Sequence, residues 1–188
     1  IKSDGSIENI HEIQGVGTKK NPDAKQALPI EDLSVIPSPF LSGIIDVKKY
    51  NGVLWELSRG CPFHCAFCYE SKGSPSIRQF PLDRIEKELE FFEKNGVEQI
   101  FVLDPTFNKN MQRAKQILRL IQNKAPNIHF TFEVRTEFLD RESAELFSSI
   151  PCGLQIGLQS TNQVALAEIN RKFDGNAYRK KINLLNEC

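Results

Sequence analysis

Three cysteines lie close together in a chain that has only five. Cys61, Cys65 and Cys68 occur in the stretch RGCPFHCAFCYE, residues 59–70, with the spacing C-x3-C-x2-C. Thiolates bind zinc and iron–sulfur clusters, and two thiols can also form a disulfide. The spacing therefore predicts either a metal centre or a disulfide.

The number of thiols helps to choose between a metal centre and a disulfide. A disulfide would use two of the three and leave one over, and cytoplasmic proteins keep their thiols reduced. A structural zinc site usually has four ligands. His64 is a poor candidate for the fourth, because it lies between two of the cysteines on a tight loop and could not easily bind at the same time as both. A 4Fe–4S cluster held by three thiolates leaves one iron without a protein ligand, which a reactive centre needs. A zinc-stabilised binding module stays open as the alternative.

The composition is that of a globular domain without a dominant surface charge. Of the 188 residues 40% are hydrophobic and 26% are charged, and 24 Lys and Arg balance 24 Asp and Glu. Nucleic acid is therefore not expected as the main partner, because its backbone attracts strongly basic domains. The apolar runs are too short to cross a bilayer, and the N-terminus lacks the pattern of a signal peptide. We expect a cytoplasmic protein with no membrane partner.

From Val53 onward, the apolar residues predict alternating strands and helices. Continuous or alternating apolar residues predict strands over 53–57, 99–103, 128–134 and 153–160. Apolar residues spaced three and four apart predict helices from Pro81 to Gly96, around 114–121, from an N-cap at Asp140 to Phe147, and over 177–187. This alternation predicts the α/β class, with parallel strands in a wound sheet or a barrel.

Polar clusters follow all four predicted strands. The cysteine loop follows the first strand, DPTFN the second, EVRTE the third and LQS the fourth. In parallel folds the working groups gather at the carboxyl ends of the strands. We therefore expect these four clusters on one rim.

The cysteine motif in this context resembles the radical S-adenosylmethionine (SAM) superfamily. The resemblance rests on C-x3-C-x2-C after the first strand of a β/α repeat, with the aromatic Phe67 just before the third cysteine. Within the superfamily, IPSPFLSGIID, WELSRGCPFHCAFC, LDPTFN, FEVRTE and QIGLQS resemble the branch that carries an N-terminal cobalamin-binding domain. That branch includes relatives of the anaerobic magnesium-protoporphyrin monomethyl ester cyclase, and the resemblance covers residues 29–188.

The resemblance implies a fold and a domain organisation. Residues 51–188 would be the N-terminal part of the radical SAM core, a partial parallel (β/α) barrel truncated to about four units. Residues 1–50, in which Pro29, Pro37 and Pro39 favour extended chain, would be a linker and the tail of a missing cobalamin-binding domain. The chain starts at Ile1 and ends within a predicted helix, so we expect the natural protein to continue.

The resemblance also implies the cofactors and the reaction. A 4Fe–4S cluster would cleave SAM reductively to a 5'-deoxyadenosyl radical, with an electron donor such as flavodoxin or ferredoxin. The radical would act on an unactivated carbon of a small-molecule substrate, in an oxidoreductase or a methyltransferase. Cobalamin would come through the missing domain, and a radical SAM enzyme without cobalamin is the alternative. No catalytic residue beyond the cofactor ligands is identified.

Site residues follow from the resemblance by position. Cys61, Cys65 and Cys68 would ligate the cluster. The SAM contacts would come from six residues: Phe67 near the adenine, Asp104 and Thr106 at the amino group, Glu133 at the ribose hydroxyls, Gln159 facing SAM and Arg171 at its carboxylate. The stretch Asp104–Thr106 departs from the family's glycine-rich form, so we expect its contact to involve backbone carbonyls as much as Asp104.

Structural roles compete with some of these assignments. Glu133 and Arg135 lie two apart on one strand face and could form an ion pair inside the barrel, and Arg135 is also a second candidate for the SAM carboxylate. Gln155 is expected to be a hydrogen-bonded amide in the core. Arg171 and Lys172 could be a solvated helix end.

Overall fold

The computed structural model describes residues 10, 13–25, 27–70, 73 and 75–188. It divides into two compact units, Ile1–Glu31 and Asp32–Cys188. In the first unit, the amide of Gly15 donates to the carbonyl of Lys25, and Thr18 and Asn21 form a short antiparallel bridge. The regular elements described below lie in the second unit. In the described part of the chain, no helix has the length and apolar character needed to cross a bilayer.

The second unit contains alternating strands and helices. The strands are β1 (Gly52–Trp55), β2 (Ser58–Arg59), β3 (Arg78–Gln79), β4 (Gln99–Val102), β5 (His129–Val134) and β6 (Cys152–Ile156). The helices are α1 (Leu82–Lys94), α2 (Met111–Lys124), α3 (Arg141–Ser148), α4 (Gln163–Glu168) and α5 (Gly175–Glu187). The predicted strands and helices are present, with ends that shift by a few residues.

Four strands form one parallel sheet in the order β1-β4-β5-β6. Neighbours in this sheet are also successive in the chain, apart from the short pair β2 and β3, as in a β/α barrel. The fold is therefore α/β, a partial parallel β/α barrel of four units, as predicted.

The helices begin and end where the sequence indicates. Pro81 precedes the first turn of α1, and Gly96 follows the helix with a φ of 70°, a conformation that glycine adopts without strain. Asp140 caps α3 by accepting from the amide of Ser143, whose hydroxyl accepts in turn from the amide of Asp140.

One face of the sheet forms the core under the helices. Phe130, Phe132 and Val134 of β5 are buried, as the strict alternation of this strand predicts. Trp55 at the end of β1 is fully buried, and its indole N–H donates to the carboxylate of Glu88 on α1 at 2.7 Å. The opposite face carries exposed Leu54, Glu133 and Gln155, together with half-buried Phe101 and Thr131.

Residues 32–50 pack with the sheet unit rather than lying on its surface as a linker. Leu33, Phe40 and Val47 are buried, and the ring of Phe40 meets that of Phe92 edge to face, with the ring centroids 4.9 Å apart. The guanidinium of Arg84 on α1 donates to the carbonyl of Ile36 at 2.6 Å. That residues 1–50 follow a cobalamin-binding domain in the full protein stays a prediction.

Replacing Phe40 tests whether this segment is part of the folded core. We expect Phe40→Ala to lower the free energy of unfolding by about 3–5 kcal/mol, because it removes a buried ring that packs against Phe92. Tyr50→Ala, at a position where the side chain is 62% exposed, is the matched control and should have a small effect. Equal effects in urea denaturation would show that the segment does not contribute to the core.

Candidate functional site

The cysteine loop is closed at its base by a two-residue ladder. The strand β2 pairs with β3 in antiparallel register, Ser58 with Gln79 and Arg59 with Arg78, so the loop leaves and returns side by side. Arg59 also holds the carboxylate of Glu56 through two hydrogen bonds of 2.7 and 2.9 Å. Gly60 then turns the chain with a φ of 99°, which favours glycine. The ladder was not predicted, since two-residue strands leave no periodic signal.

The thiols of the loop lie near one another. Cys61 and Cys65 are buried, Cys68 is half-buried, and within the described residues Cys61 and Cys65 form no disulfide. Burial raises the pKa of the Cys61 thiol; the neighbouring thiols Cys68 and Cys65 raise it further, while a backbone hydrogen bond from Phe63 and the charge of Arg135 lower it. Cys65 and Cys68 thus lie close enough to Cys61 to affect its ionisation, and their joint ligation of a cluster stays a prediction.

These thiols suit a cluster by their number and chemistry. Among the described residues, no three His, Cys, Asp or Glu side chains converge on one point that could hold a single metal ion. The three thiols are instead neighbours around one loop, and three soft sulfur ligands are the donor set that iron–sulfur clusters take. On this donor chemistry the loop fits a 4Fe–4S cluster.

Phe63 anchors the loop against the end of β5. The guanidinium of Arg135 lies over the Phe63 ring, 3.7 Å from its centroid, and Phe138 lies beside that ring at 6.2 Å. The ammonium of Lys109 lies over both rings, at 5.5 and 4.5 Å. Cation–π contacts of this kind contribute about 0.5–2 kcal/mol each, more when they are desolvated, as Arg135 is.

Asp104 joins the ends of β1 and β4. Its carboxylate accepts the amides of Leu57 and Ser58 at 2.9 and 3.0 Å and the hydroxyl of Ser58 at 2.6 Å, and the side chain is buried. This carboxylate is therefore used inside the fold. A SAM contact by this stretch stays a prediction, for which the backbone is better placed than the Asp104 side chain.

Asn108 joins the ends of β4 and β5 in the same way. The fully buried amide side chain accepts from the N–H of Arg135 at 2.9 Å and donates to the carbonyl of Arg135 at 2.8 Å. The amide of Phe107 donates to the carbonyl of Glu133 at 2.9 Å, so the loop after β4 lies along the end of β5. Sequence reasoning missed this role of Asn108, and its place in a polar cluster after a strand was the available signal.

Four of the six predicted SAM contacts line one cavity of about 300 Å³ at the carboxyl ends of the strands. They are Thr106, Glu133, Gln159 and Arg171. Gly157 also lines this cavity. A Cβ added at Gly157 would lie 2.4 Å from the Gln159 amide nitrogen and 4.0 Å from the Arg171 guanidinium. Glycine at this position therefore lets the Gln159 amide approach the strand end.

Phe67 and Asp104 lie outside the lining of that cavity. Phe67 is exposed on the cysteine loop, with 56% of its surface accessible. A second cavity, of about 880 Å³, opens between the cysteine loop and the start of α5. It contacts Cys65 on one side and Arg171 on the other.

The structural alternatives for Glu133 and Gln155 are not observed. Arg135 pairs with Glu137 at 2.7 Å rather than with Glu133, which is exposed. The neighbouring protein atoms still partly desolvate its carboxylate, which raises the pKa of Glu133, and the charge of Glu70 raises it further. Gln155 is exposed on the open face of the sheet and lines the cavity, so its prediction as a core amide is wrong.

Comparison with known proteins identifies relatives of this chain. The family model of the Radical SAM superfamily matches residues 55–188. The cobalamin-dependent radical SAM methyltransferase TokK of Streptomyces tokunonensis is 28% identical over 89% of this chain and 28% of its own length. The anaerobic magnesium-protoporphyrin IX monomethyl ester cyclase of Synechocystis sp. is 22% identical over 97% of this chain and 39% of its own length. The chain thus spans between a quarter and two fifths of these relatives.

A solved structure shows the same fold. The radical SAM methyltransferase TsrM of Kitasatospora setae, with tryptophan and a SAM analogue bound, has a TM-score of 0.66 and 18% identity. The match covers 75% of this chain and 29% of that protein. At this identity the likeness establishes the partial barrel and not the function.

The pH dependence of stability tests the role of Asp104. Burial raises its pKa above the ordinary value of 3.8, although the hydrogen bonds from Ser58 and Leu57 oppose this effect. The folded chain then binds this proton more tightly than the unfolded chain. Its stabilising contribution is present below pH 3.8 and is lost as the pH rises through the raised pKa.

We expect Asp104→Asn, which cannot ionise, to remove this part of the pH dependence while its amide oxygen accepts from the two backbone amides. The measurement is urea denaturation at a series of pH values from about 4 to about 8. Asp83→Asn, at an exposed position on α1, is the control. A slope of stability against pH that is the same in Asp104→Asn and the unsubstituted chain would contradict the assignment.

Proposed function

This chain belongs to the radical SAM superfamily, and we propose on that basis that it is the cluster- and SAM-binding part of a cobalamin-dependent enzyme acting on an unactivated carbon. Enzymes of this superfamily use a 4Fe–4S cluster and SAM. The observation that carries the proposal is the position of the three thiols. They belong to one loop that follows β1, and Thr106, Glu133 and Arg171 line a cavity at the carboxyl ends of the neighbouring strands.

Cys61, Cys65 and Cys68 would hold the cluster through three of its irons, and the fourth iron would be left for SAM. When bound, the two cofactors supply reductive cleavage of SAM to a 5'-deoxyadenosyl radical. The chain's own contribution is to fix the thiols. The β2–β3 ladder closes the loop, and the stacking of Arg135 on Phe63 restrains it. Burial of Cys61 and Cys65 limits contact of the thiolates with water.

The cavity offers groups that match the polar parts of SAM. The Glu133 carboxylate is a suitable acceptor for ribose hydroxyls. Among the residues that the structure describes, the Arg171 guanidinium makes one hydrogen bond, a long one of 3.4 Å to the Gly157 carbonyl, so it is available to bind a carboxylate in forked geometry. Thr106 and the adjoining backbone would face the SAM amino group. The cavity volume of about 300 Å³ is at the lower end of the range for small-molecule sites.

The names of the relatives support the finer part of the proposal. TokK is a cobalamin-dependent radical SAM methyltransferase, and the Synechocystis relative is a cyclase, so methyl transfer and cyclisation are both represented. A small-molecule substrate and a protein electron donor such as flavodoxin or ferredoxin belong to the same proposal. Membership in this superfamily argues against the alternative of a zinc-stabilised binding module.

Anaerobic reconstitution with iron and sulfide tests the ligand assignment. We expect about four irons per chain, and a loss of most of this iron in Cys65→Ala, because a cluster held by only two thiolates is poorly retained. Cys188→Ala removes an exposed thiol outside the loop and is the matched control, which should keep the iron content of the unsubstituted chain. Iron and zinc are counted by mass spectrometry of the metals. About one zinc and no iron in the unsubstituted chain would overturn the proposal.

A further inference from the structure

The short helix α4 ends in a Schellman motif with asparagine in the position that glycine usually occupies. The amide of Asn170 donates to the carbonyl of Ala167 at 3.0 Å, and the amide of Arg171 donates to the carbonyl of Leu166 at 2.8 Å. These are the two hydrogen bonds of the motif, and Asn170 has the left-handed φ of 51° that it requires. Glycine adopts this conformation without a Cβ penalty, so the helix end does not require the asparagine side chain.

The Asn170 side chain instead contacts the cysteine loop. Its Nδ2 donates to the carbonyl of His64 at 2.8 Å, across 106 positions of the sequence. Beside it, the amide of Ala66 donates to the carbonyl of Ile169 at 3.0 Å. These two hydrogen bonds flank Cys65, one on the residue before it and one on the residue after it. We call this pair of contacts the clasp.

The clasp also fixes the neighbour of Asn170. Arg171 follows directly in the chain, lines both cavities, and lies against Gly157 at the end of β6. A displacement of the cysteine loop is therefore transmitted to Arg171 through a single intervening residue.

We propose that Asn170 is a positioning residue that couples the cysteine loop to Arg171, so that cluster retention and SAM affinity depend on one side-chain amide. The identity of the bound groups rests on the proposed function, while the contact itself does not. The asparagine side chain stabilises the loop and is dispensable for the helix. If the Asn170 side chain served only to end the helix, removing it would destabilise the helix and leave the cysteine loop unchanged.

The informative variant is Asn170→Gly, which keeps the backbone conformation and removes the hydrogen bond to His64. In the metal-free chain we expect the reaction of Cys65 with iodoacetamide to become about threefold to tenfold faster, as expected for the loss of one hydrogen bond. The rate is measured by peptide mass spectrometry against exposed Cys188 in the same chain. The unfolding temperature should stay the same or rise, because glycine is the better residue at this helix end.

In the reconstituted chain, Asn170→Gly should release iron to a chelator faster and bind SAM more weakly by a similar factor. Asn127→Gly is the matched control, since its Nδ2 donates to Glu93 at an exposed site between α2 and β5. It should change neither Cys65 labelling nor iron release.

An unchanged Cys65 labelling rate in Asn170→Gly would overturn the clasp, and so would a lower unfolding temperature with faster labelling of all buried thiols. If labelling rises but the unsubstituted chain takes up no iron, the clasp is supported and the proposed function fails. If iron is bound and lost at equal rates in Asn170→Gly and the unsubstituted chain, the proposed function is supported and the coupling fails.

Discussion

The site depends on one constraint, which is that buried backbone groups at the ends of parallel strands must find hydrogen-bond partners. Beyond the last residue pair of a ladder, the chain leaves the sheet and its amides lose their neighbours. Asp104 supplies acceptors to the chain leaving β1, and Asn108 supplies both an acceptor and a donor to the chain leaving β5. Each side chain comes from the loop after β4. The loop after β4 therefore fixes the chain at the points where it leaves β1 and β5, the two strands next to β4.

The chemistry proposed for the chain follows from these fixed exits. Because the Asp104 carboxylate holds Leu57 and Ser58, the cysteine loop starts from a rigid base and closes on the β2–β3 ladder. Because Asn108 holds Arg135, the guanidinium of Arg135 is placed over Phe63 inside the cysteine loop. The cysteine loop after β1 and the polar cavity thus both lie at the carboxyl ends of the strands. Precise placement of cofactors is the contribution that a protein makes to cofactor chemistry.

The sequence allowed most of the fold to be predicted, and less of the site. Two local patterns led to the main predictions. They are the alternation of Phe130, Phe132 and Val134, which indicated a strand of the partial barrel, and the spacing of the cysteines, which indicated a cluster at the cysteine loop. The roles of Asp104 and Asn108 depend on partners 47 and 27 positions away, which no local pattern shows. Asp104 was predicted as a SAM contact because its position matches the family's motif after the second strand. Its burial between two loops is visible only when the strands are paired.

The central claim is that three cysteines leave one iron open for SAM. The most direct measurement is electron–nuclear double resonance on the reduced, reconstituted chain with SAM labelled with ¹⁷O in the carboxylate. We expect a hyperfine coupling between the cluster and the labelled oxygen, because the carboxylate would bind the iron that has no protein ligand. A cluster signal with no coupling to the label would show that SAM does not occupy this iron, and would contradict the account.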